Sequence, residues 1–174
     1  MQLISEEYRG LNEDLHKSVP EYGTSGKKWA ANIYELSVAL DTKDILDYGC
    51  GKSTLSNNLP FSIQQYDPSV KKYSSRPVAS DIVVCTDVLE HIEPDHIDAV
   101  LDDLKSLTRK MAFFTVATRP AKKTLADGRN AHLLQHGIDW WLPKFWSRFI
   151  IRTLQVEDGE FVLMVETKRL RITN

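Results

Sequence analysis

The sequence has few cysteines and no long apolar run. Only Cys50 and Cys85 occur among its 174 residues, and they form no Cys-x-x-Cys pair. Two isolated thiols supply neither the disulfide framework of a small secreted domain nor the ligand cluster of a structural zinc site. No apolar stretch approaches the roughly 18 residues of a membrane span, and residues 1–7 lack the basic and apolar regions of a signal peptide. We therefore expect a cytoplasmic protein with reduced thiols, no membrane association and no metal site.

A charge excess of one sign is also absent. The 22 Lys and Arg residues nearly balance the 24 Asp and Glu residues, and the formal net charge is -2. A protein that coats DNA by electrostatics alone shows a clear basic excess, so that function is disfavoured, while a local basic groove for nucleic acid stays open. No repeat or linker divides the chain, and apolar residues make up 42% of it. These values predict a single domain over residues 1–174.

What the sequence does contain is an alternation of short apolar runs with helical periodicity, after a polar and irregular segment at 1–25. Such an alternation predicts an α/β domain with a mostly parallel sheet, and the turn residues at 157–160 predict an antiparallel C-terminal hairpin strand. Predicted helices cover 29–40, 53–59, 94–104 and 138–149, the last broken or kinked near Pro143, and predicted strands cover 44–48, 62–66, 82–86, 111–117, 150–156 and 161–167.

A glycine turn follows the first predicted strand, with the pattern Asp47-x-Gly49-x-Gly51. A phosphate-binding P-loop would need glycine at position 46, where the strand has Leu46, and a dinucleotide fingerprint would need glycine at position 54, where Thr54 stands. Both interpretations are therefore disfavoured. Two remain open at this point: a turn that lets the backbone pass close under a ligand, and a tight turn without a ligand.

The glycine turn resembles the first motif of the class I S-adenosylmethionine-dependent methyltransferases, and two later segments strengthen the resemblance. Asp67 and Pro68 end the second strand, where an acid accepts ribose hydroxyls, and 86–91 reads Thr-Asp-Val-Leu-Glu-His directly after an apolar strand. The resemblance implies a Rossmann-like methyltransferase sandwich with S-adenosylmethionine (SAM) as cofactor and S-adenosylhomocysteine (SAH) as product. The cofactor-binding residues that it implies are Tyr22, Gly23, Asp47, Gly49, Cys50, Gly51, Asp67, Pro68, Thr86, Asp87, Val88 and His91.

The chain departs from this family between its second and third predicted strands. Only 14 residues separate Asp67 from Ile82, which is too few for the helix and further strand that most members have there. The third strand and helix region is therefore expected to be abridged. Tyr73 or Pro68 would then offer an apolar face to the adenine.

The segment 118–137 is too long for an ordinary connection and carries a dense set of polar groups. Arg129, Asn130 and His132 are the candidate residues on the substrate side, with Arg129 holding an anionic group and His132 acting as a base. The alternative is a solvated loop in which Arg129 pairs with Asp127 and His132 packs against Trp140. The N-terminal segment 1–25 is expected to form a lid through Tyr22 and Gly23.

The whole sequence also resembles small, uncharacterised methyltransferase-like proteins of phage type, through residues 22–26, 47–52, 66–68 and 127–132. The resemblance implies transfer of a methyl group from SAM to a small-molecule acceptor. Three alternatives stay open: a methyltransferase acting on nucleic acid or protein, a SAM-binding regulatory module without turnover, and an enzyme that cleaves the cofactor.

Overall fold

The fold is built around a six-stranded sheet with the strand order β2-β1-β3-β4-β6-β5. A computed structural model describes residues 2–168 of the chain. The strands are β1 (Ile45–Tyr48), β2 (Gln64–Tyr66), β3 (Ser80–Thr86), β4 (Thr108–Ala117), β5 (Phe149–Glu157) and β6 (Glu160–Thr167), and the helices are α1 (Glu6–Ser18), α2 (Ala30–Ala39), α3 (Ile97–Leu107) and α4 (Ile138–Arg148).

The strand directions confirm the predicted Rossmann-like sandwich. β1 runs parallel to both β2 and β3, and β3 runs parallel to β4. Only β6 is antiparallel to its neighbours β4 and β5. The hairpin that places it turns through Gly159, whose φ of 78° is the left-handed conformation that such a short turn requires.

Helices cover both faces of the sheet, and side chains alternate between the two apolar cores. Val83 and Cys85 of β3 face the core that α3 and α4 complete. Ile82 and Val84 face the second core, which Ile33 of α2 completes. This double burial explains why β3 reads as a continuous apolar run in the sequence.

The abridged region between β2 and β3 is confirmed. Within the described part of the chain, residues 67–79 form no strand and no helix beyond the 3₁₀ turn Lys71–Tyr73. An ion pair fastens this segment to the sandwich, since Arg76 Nη1 donates to Asp103 Oδ2 of α3 at 2.7 Å. Tyr48 Oη donates to the same carboxylate oxygen at 3.0 Å. A buried acid on α3 thus replaces the packing that a further helix would supply.

Two expected elements differ in the N-terminal half. The segment expected to be irregular contains α1, which Ser5 caps by accepting from Tyr8 N at 3.1 Å. The buried face of α1 includes the polar Asn12, so the helix shows no clear apolar periodicity in the sequence. The helix expected at 53–59 is a set of turns with one 3₁₀ turn, Ser56–Asn58, because Ser53 has a φ of 61° and cannot begin a right-handed helix.

Two helix expectations also change in the C-terminal half. Residues 94–96 form a turn, and α3 begins after that turn, at Ile97 rather than at Pro94. α4 runs through Pro143 without the predicted break. Trp141 and Phe145, both fully buried, flank the proline and hold the helix against the core. None of the helices that the structure describes has the length and apolar character that a bilayer span requires.

Candidate functional site

A cavity of about 490 Å³ lies at the carboxyl ends of the parallel strands. Its walls come from the segments that follow β1, β2, β3 and β4, and from α1 and the residues after it. In the sheet, β2 lies on one side of β1 and β3 lies on the other. The strand order therefore reverses at β1. Ligands of open α/β sheets bind in the crevice at such a reversal, and the volume lies in the range of about 300–1,000 Å³ that is usual for small-molecule sites.

The structure brings the twelve predicted cofactor residues together around this cavity. They come from four separate segments of the sequence, yet each one lines the same walls. His132, predicted for the substrate side, lines the cavity as well. The twelve are Tyr22, Gly23, Asp47, Gly49, Cys50, Gly51, Asp67, Pro68, Thr86, Asp87, Val88 and His91.

The glycine turn is fixed against the end of β2 by its own backbone. Gly49 N and Cys50 N donate to Tyr66 O at 2.7 and 3.0 Å, and Gly51 N donates to Asp67 Oδ2 at 3.1 Å. Gly49 and Gly51 have φ values of 79° and 48°. Both positions favour glycine for conformation and for space, since a Cβ at Gly49 would lie 2.4 Å from Val88 Cγ2 and a Cβ at Gly51 would lie 2.7 Å from Gly23 O.

The N-terminal segment is fastened onto this turn. Lys52 N donates to Gly23 O at 2.9 Å, and Lys52 Nζ donates to Val19 O and Pro20 O at 2.8 and 2.9 Å. Ser5, which caps α1, donates through its amide and hydroxyl to the carboxylate of Glu93 at 2.8 and 2.7 Å. The N-terminal segment is therefore attached to the sandwich at both of its own ends and forms one wall of the cavity.

Two buried acids lie beside the glycine turn. Burial raises the pKa of Asp47 to about 7, and the nearby Asp67 adds to that shift. Burial also raises the pKa of Asp67, while His16 and the amides of Ser69 and Gly51 act in the opposite direction. Asp67 Oδ1 accepts from Ser69 N at 2.9 Å, and His16 Nε2 lies 3.9 Å from Asp67 Oδ2. This end of the cavity favours a ligand that presents hydroxyl donors or positive charge.

A row of four aromatic rings runs from the glycine turn to the other end of the cavity. The ring centroids of His16 and Tyr22 are 4.7 Å apart, those of Tyr22 and His91 are 5.6 Å apart, and those of His91 and His132 are 4.7 Å apart. Burial raises the pKa of Tyr22 well above its usual range, and its hydroxyl donates to Asn12 Oδ1 at 2.9 Å. Neutral aromatic groups thus line the middle of the cavity.

Glu90, His91 and His132 form the far end, which we call the histidine end. Burial raises the pKa of Glu90 to about 8, and Asp87 adds to the shift. Burial lowers the pKa of His91 to about 3, and it lowers the pKa of His132 as well. Both rings are therefore neutral near pH 7 and can accept a proton or a metal ion through a nitrogen lone pair.

Arg129 and Asn130 do not line the cavity. The Arg129 guanidinium is half exposed and bonds to Asp127, with Nε 2.7 Å from Oδ2. The Asn130 amide is occupied by backbone, because it both donates to and accepts from Ala121 at 2.9 and 3.0 Å. Both residues shape the loop and present no group to the cavity. The ring of His132 packs edge-on against the ring of His91 and not against Trp140. The Trp140 ring stacks on His136.

Several cavity residues escaped the sequence analysis. Tyr8, Asn12 and His16 of α1 line the wall, as do Glu90 and Arg119. The signal for α1 was present in Ser5, a preferred capping residue that is followed by two glutamates in the first turn. Glu90 and Arg119 lie in the segments 86–91 and 118–137 that the sequence analysis singled out, but neither was named as a site residue, because their exact place in the cavity depends on tertiary packing.

Comparisons with known proteins identify the fold. No protein-family model matches the sequence, and no curated protein matches it. Magnesium protoporphyrin IX methyltransferase (ChlM) from Synechocystis PCC 6803, solved with bound SAM, is 14% identical with a TM-score of 0.62, and the match covers 94% of this chain and 99% of that chain.

Two further solved structures match over nearly the full chain. The 1,6-didemethyltoxoflavin-N1-methyltransferase of Burkholderia thailandensis, solved with its substrate and SAH, is 14% identical with a TM-score of 0.60 over 97% of this chain and 93% of that chain. The N-methyltransferase NodS of Bradyrhizobium japonicum WM9, solved with SAH, is 12% identical with a TM-score of 0.58 over 95% of this chain and 100% of that chain. The chain therefore has the Rossmann-like fold of class I SAM-dependent methyltransferases.

Proposed function

We propose that this protein is a SAM-dependent methyltransferase that acts on a small-molecule acceptor. The observation that carries the proposal is one cavity that unites the glycine turn, the acid at the end of β2 and the segment after β3, at the reversal of strand order. The solved structures with this fold named above are methyltransferases with SAM or SAH bound.

The residues present fit the cofactor. Asp67 uses one lone pair of each oxygen for Gly51 N and Ser69 N, and a carboxylate has about four such acceptor sites, so acceptors remain for two ribose hydroxyls. Gly49 and Gly51 let the turn pack against Val88 and Gly23, which also line the cavity where the methionine portion would lie. Asp47 and Asp87 line the same walls and would balance the positive charge of a sulfonium.

The chemistry supplied by bound SAM is an electrophilic methyl group, whose bond to sulfur breaks with the electron pair left on sulfur while a bond to the acceptor forms and the acceptor loses a proton. The protein aligns the acceptor and excludes water. The wall formed by α1 and by residues 119–123 encloses the reacting groups. Because His132 Nδ1 lies 2.7 Å from Arg119 O and carries the ring proton, the Nε2 of this residue keeps its lone pair and, while no metal ion occupies it, would take the proton of the acceptor.

A small acceptor fits better than a macromolecule. The N-terminal segment forms one wall of the cavity and narrows it, and the net charge of the chain is -2. Burial raises the pKa of both cysteine thiols, which disfavours covalent cysteine catalysis of the kind that base methylation uses. Two of the solved methyltransferases named above are named after small-molecule substrates, a porphyrin and a toxoflavin precursor. Arg119 and Lys123 at the rim favour an acceptor with negative charge.

The test is to incubate the protein with SAM and pools of small acceptors and to measure SAH and SAM by mass spectrometry. We expect SAH to form only when an acceptor is present, and Asp67→Ala to abolish its formation while Asp95→Ala, an exposed acid, leaves it unchanged. SAM consumed without an acceptor would indicate cofactor cleavage instead. SAM bound but never consumed would indicate a regulatory module, and either result would overturn the proposal.

A further inference from the structure

Three side chains from two distant segments converge at the histidine end of the cavity. Glu90, His91 and His132 each offer a ligand atom, and these atoms all lie within 4.8 Å of one another. His132 is some forty residues from the other two in sequence, so the fold brings the cluster together across the cavity wall. The closeness of one carboxylate and two imidazoles is the first observation.

The orientation of the two rings is the second observation. His91 Nδ1 lies 2.7 Å from Ala131 O, and His132 Nδ1 lies 2.7 Å from Arg119 O. Because a carbonyl oxygen only accepts, each Nδ1 carries a proton and each ring keeps its lone pair on Nε2. Histidines that bind metal ions are held in the same way, with the remote N–H donated to a backbone carbonyl.

The third observation is an oxygen atom without a partner. Glu90 is completely buried, and its Oε1 accepts from Ala117 N at 2.9 Å. Its Oε2 is buried and has no hydrogen-bond donor among the residues that the structure describes. A buried acceptor left unsatisfied is unfavourable, so native proteins rarely retain one without a ligand or a functional reason.

From these three observations we infer that Glu90, His91 and His132 form a site for a divalent transition-metal ion. Two imidazole nitrogens and one carboxylate oxygen suit Zn²⁺, Co²⁺, Fe²⁺ or Mn²⁺, whereas Mg²⁺ and Ca²⁺ prefer oxygen ligands throughout. The cation would supply the missing partner of Glu90 Oε2. This inference departs from the sequence-based expectation of no metal site.

The inferred site also indicates a class of acceptor. Three protein ligands leave at least one coordination position open, and all three residues line the cavity. A hydroxyl group that binds the ion at this position loses its proton more readily, to solvent before the methyl transfer, and the resulting oxygen is a better nucleophile. Resting on the proposed methyl transfer, this consequence makes a hydroxyl-bearing small molecule the preferred acceptor.

The test measures metal binding directly and without SAM. Full-length protein freed of metal with a chelator is titrated with Zn²⁺ by calorimetry and with Co²⁺ by visible absorption. We expect one ion per chain, visible Co²⁺ bands typical of nitrogen and oxygen ligands, and at least a tenfold loss of affinity in Glu90→Gln and in His132→Gln. The matched controls are His96→Gln and His136→Gln, histidines outside the cavity lining, which should bind as the unaltered protein does.

The inference is overturned if neither ion binds, if the two cluster variants bind as tightly as the two controls, or if Mg²⁺ binds more tightly than Zn²⁺. Circular dichroism of each variant shows that it is folded. Should Glu90→Gln fail to fold, Glu90→Asp retains the charge, shortens the side chain by one methylene, and should still weaken binding.

A parallel titration with SAM separates this inference from the proposed function. If SAM binds and the metal does not, the cation site is refuted while the methyltransferase proposal stands. If the metal binds and SAM does not, the proposed function fails, and with it the assignment of a hydroxyl acceptor, whereas the cation site stands.

Discussion

The two ends of the cavity hold their carboxylates in different ways. At the glycine-turn end, each oxygen of Asp67 accepts a backbone amide, from Gly51 and from Ser69. At the histidine end, one oxygen of Glu90 accepts the amide of Ala117 and the other has no donor among residues 2–168. Backbone amides therefore bond to both oxygens of the Asp67 carboxylate before a ligand binds, although the buried His16 Nδ1 beside it has no partner among residues 2–168, whereas one oxygen of the Glu90 carboxylate has no donor there. Under the proposed function, the first end recognises the cofactor and the second end holds the reacting groups.

The largest expected effect comes from breaking the rigid end at Gly51. In Gly51→Ala the new Cβ would lie 2.7 and 2.8 Å from Gly23 O and Cα, at a φ of 48°. Steric overlap and the left-handed conformation together should lower the free energy of unfolding by about 4 kcal/mol. Urea denaturation checks this value.

The matched control is Gly128→Ala. Gly128 has a φ of 90°, and a Cβ there would meet nothing within 4 Å. This variant carries the conformational penalty alone and should lose about 1 kcal/mol. Equal losses in the two variants would show that the contact between Gly51 and Gly23 contributes nothing.

A second way to probe the rigid end is its response to pH. Burial raises the pKa of Asp47 to about 7 from an ordinary value of 3.8, so the native state keeps a proton that the unfolded state has lost. Stability should therefore fall as the pH rises from about 4 to 7, by about 3 kcal/mol from this group.

In Asp47→Asn the Asp47 part of this decline should disappear, which urea denaturation at several pH values can measure. His91, whose pKa burial lowers to about 3, contributes the opposite slope in both proteins and cancels in the difference. Asp95→Asn, at an exposed acid, should retain the slope of the unaltered protein. Parallel curves for Asp47→Asn and the unaltered protein would contradict the assignment.

A smaller effect is expected on cofactor affinity from Asp67→Asn. The substitution removes the charge and turns one acceptor into a donor that faces Gly51 N or Ser69 N. Hydrogen bonds to a charged group contribute about 1.5–3 kcal/mol, so the Kd for SAM should rise roughly 10- to 100-fold. Fluorescence or calorimetric titration measures it, and an unchanged Kd would remove Asp67 from the site.

The smallest effect is expected outside both ends, at Arg129. Its guanidinium is exposed beside Asp127, and exposed pairs of this kind contribute about 0–1 kcal/mol. Arg129→Ala should leave the SAM affinity and the rate of SAH formation within about twofold of the unaltered protein. A large loss of rate would return Arg129 to the substrate side of the site, where the sequence analysis placed it.

The sequence predicted the glycine-turn end because its chemistry is local. Gly49 and Gly51 follow β1 and Asp67 follows β2, and parallel strands bring their carboxyl ends to one edge. The C-terminal hairpin was predictable for the same reason, since Asp158 and Gly159 form a two-residue turn between strands.

The sequence analysis named His91 and His132 as site residues but did not predict that they meet Glu90, because this end is assembled from distant segments. Glu90 is fully buried, and His132 comes close to it because residues 118–137 fold back across the strand ends. α1 was missed because its buried face mixes Tyr8 and Asn12 with Leu15, a pattern without clear apolar periodicity. Tertiary packing, rather than local pattern, determines these elements.

A calorimetric titration of the purified protein with SAM and with SAH decides whether the cavity is a SAM site. We expect one molecule of each to bind per chain, binding to raise the thermal unfolding temperature, and Asp67→Asn to weaken both effects. No heat of binding and no change in unfolding temperature at millimolar ligand would contradict this expectation.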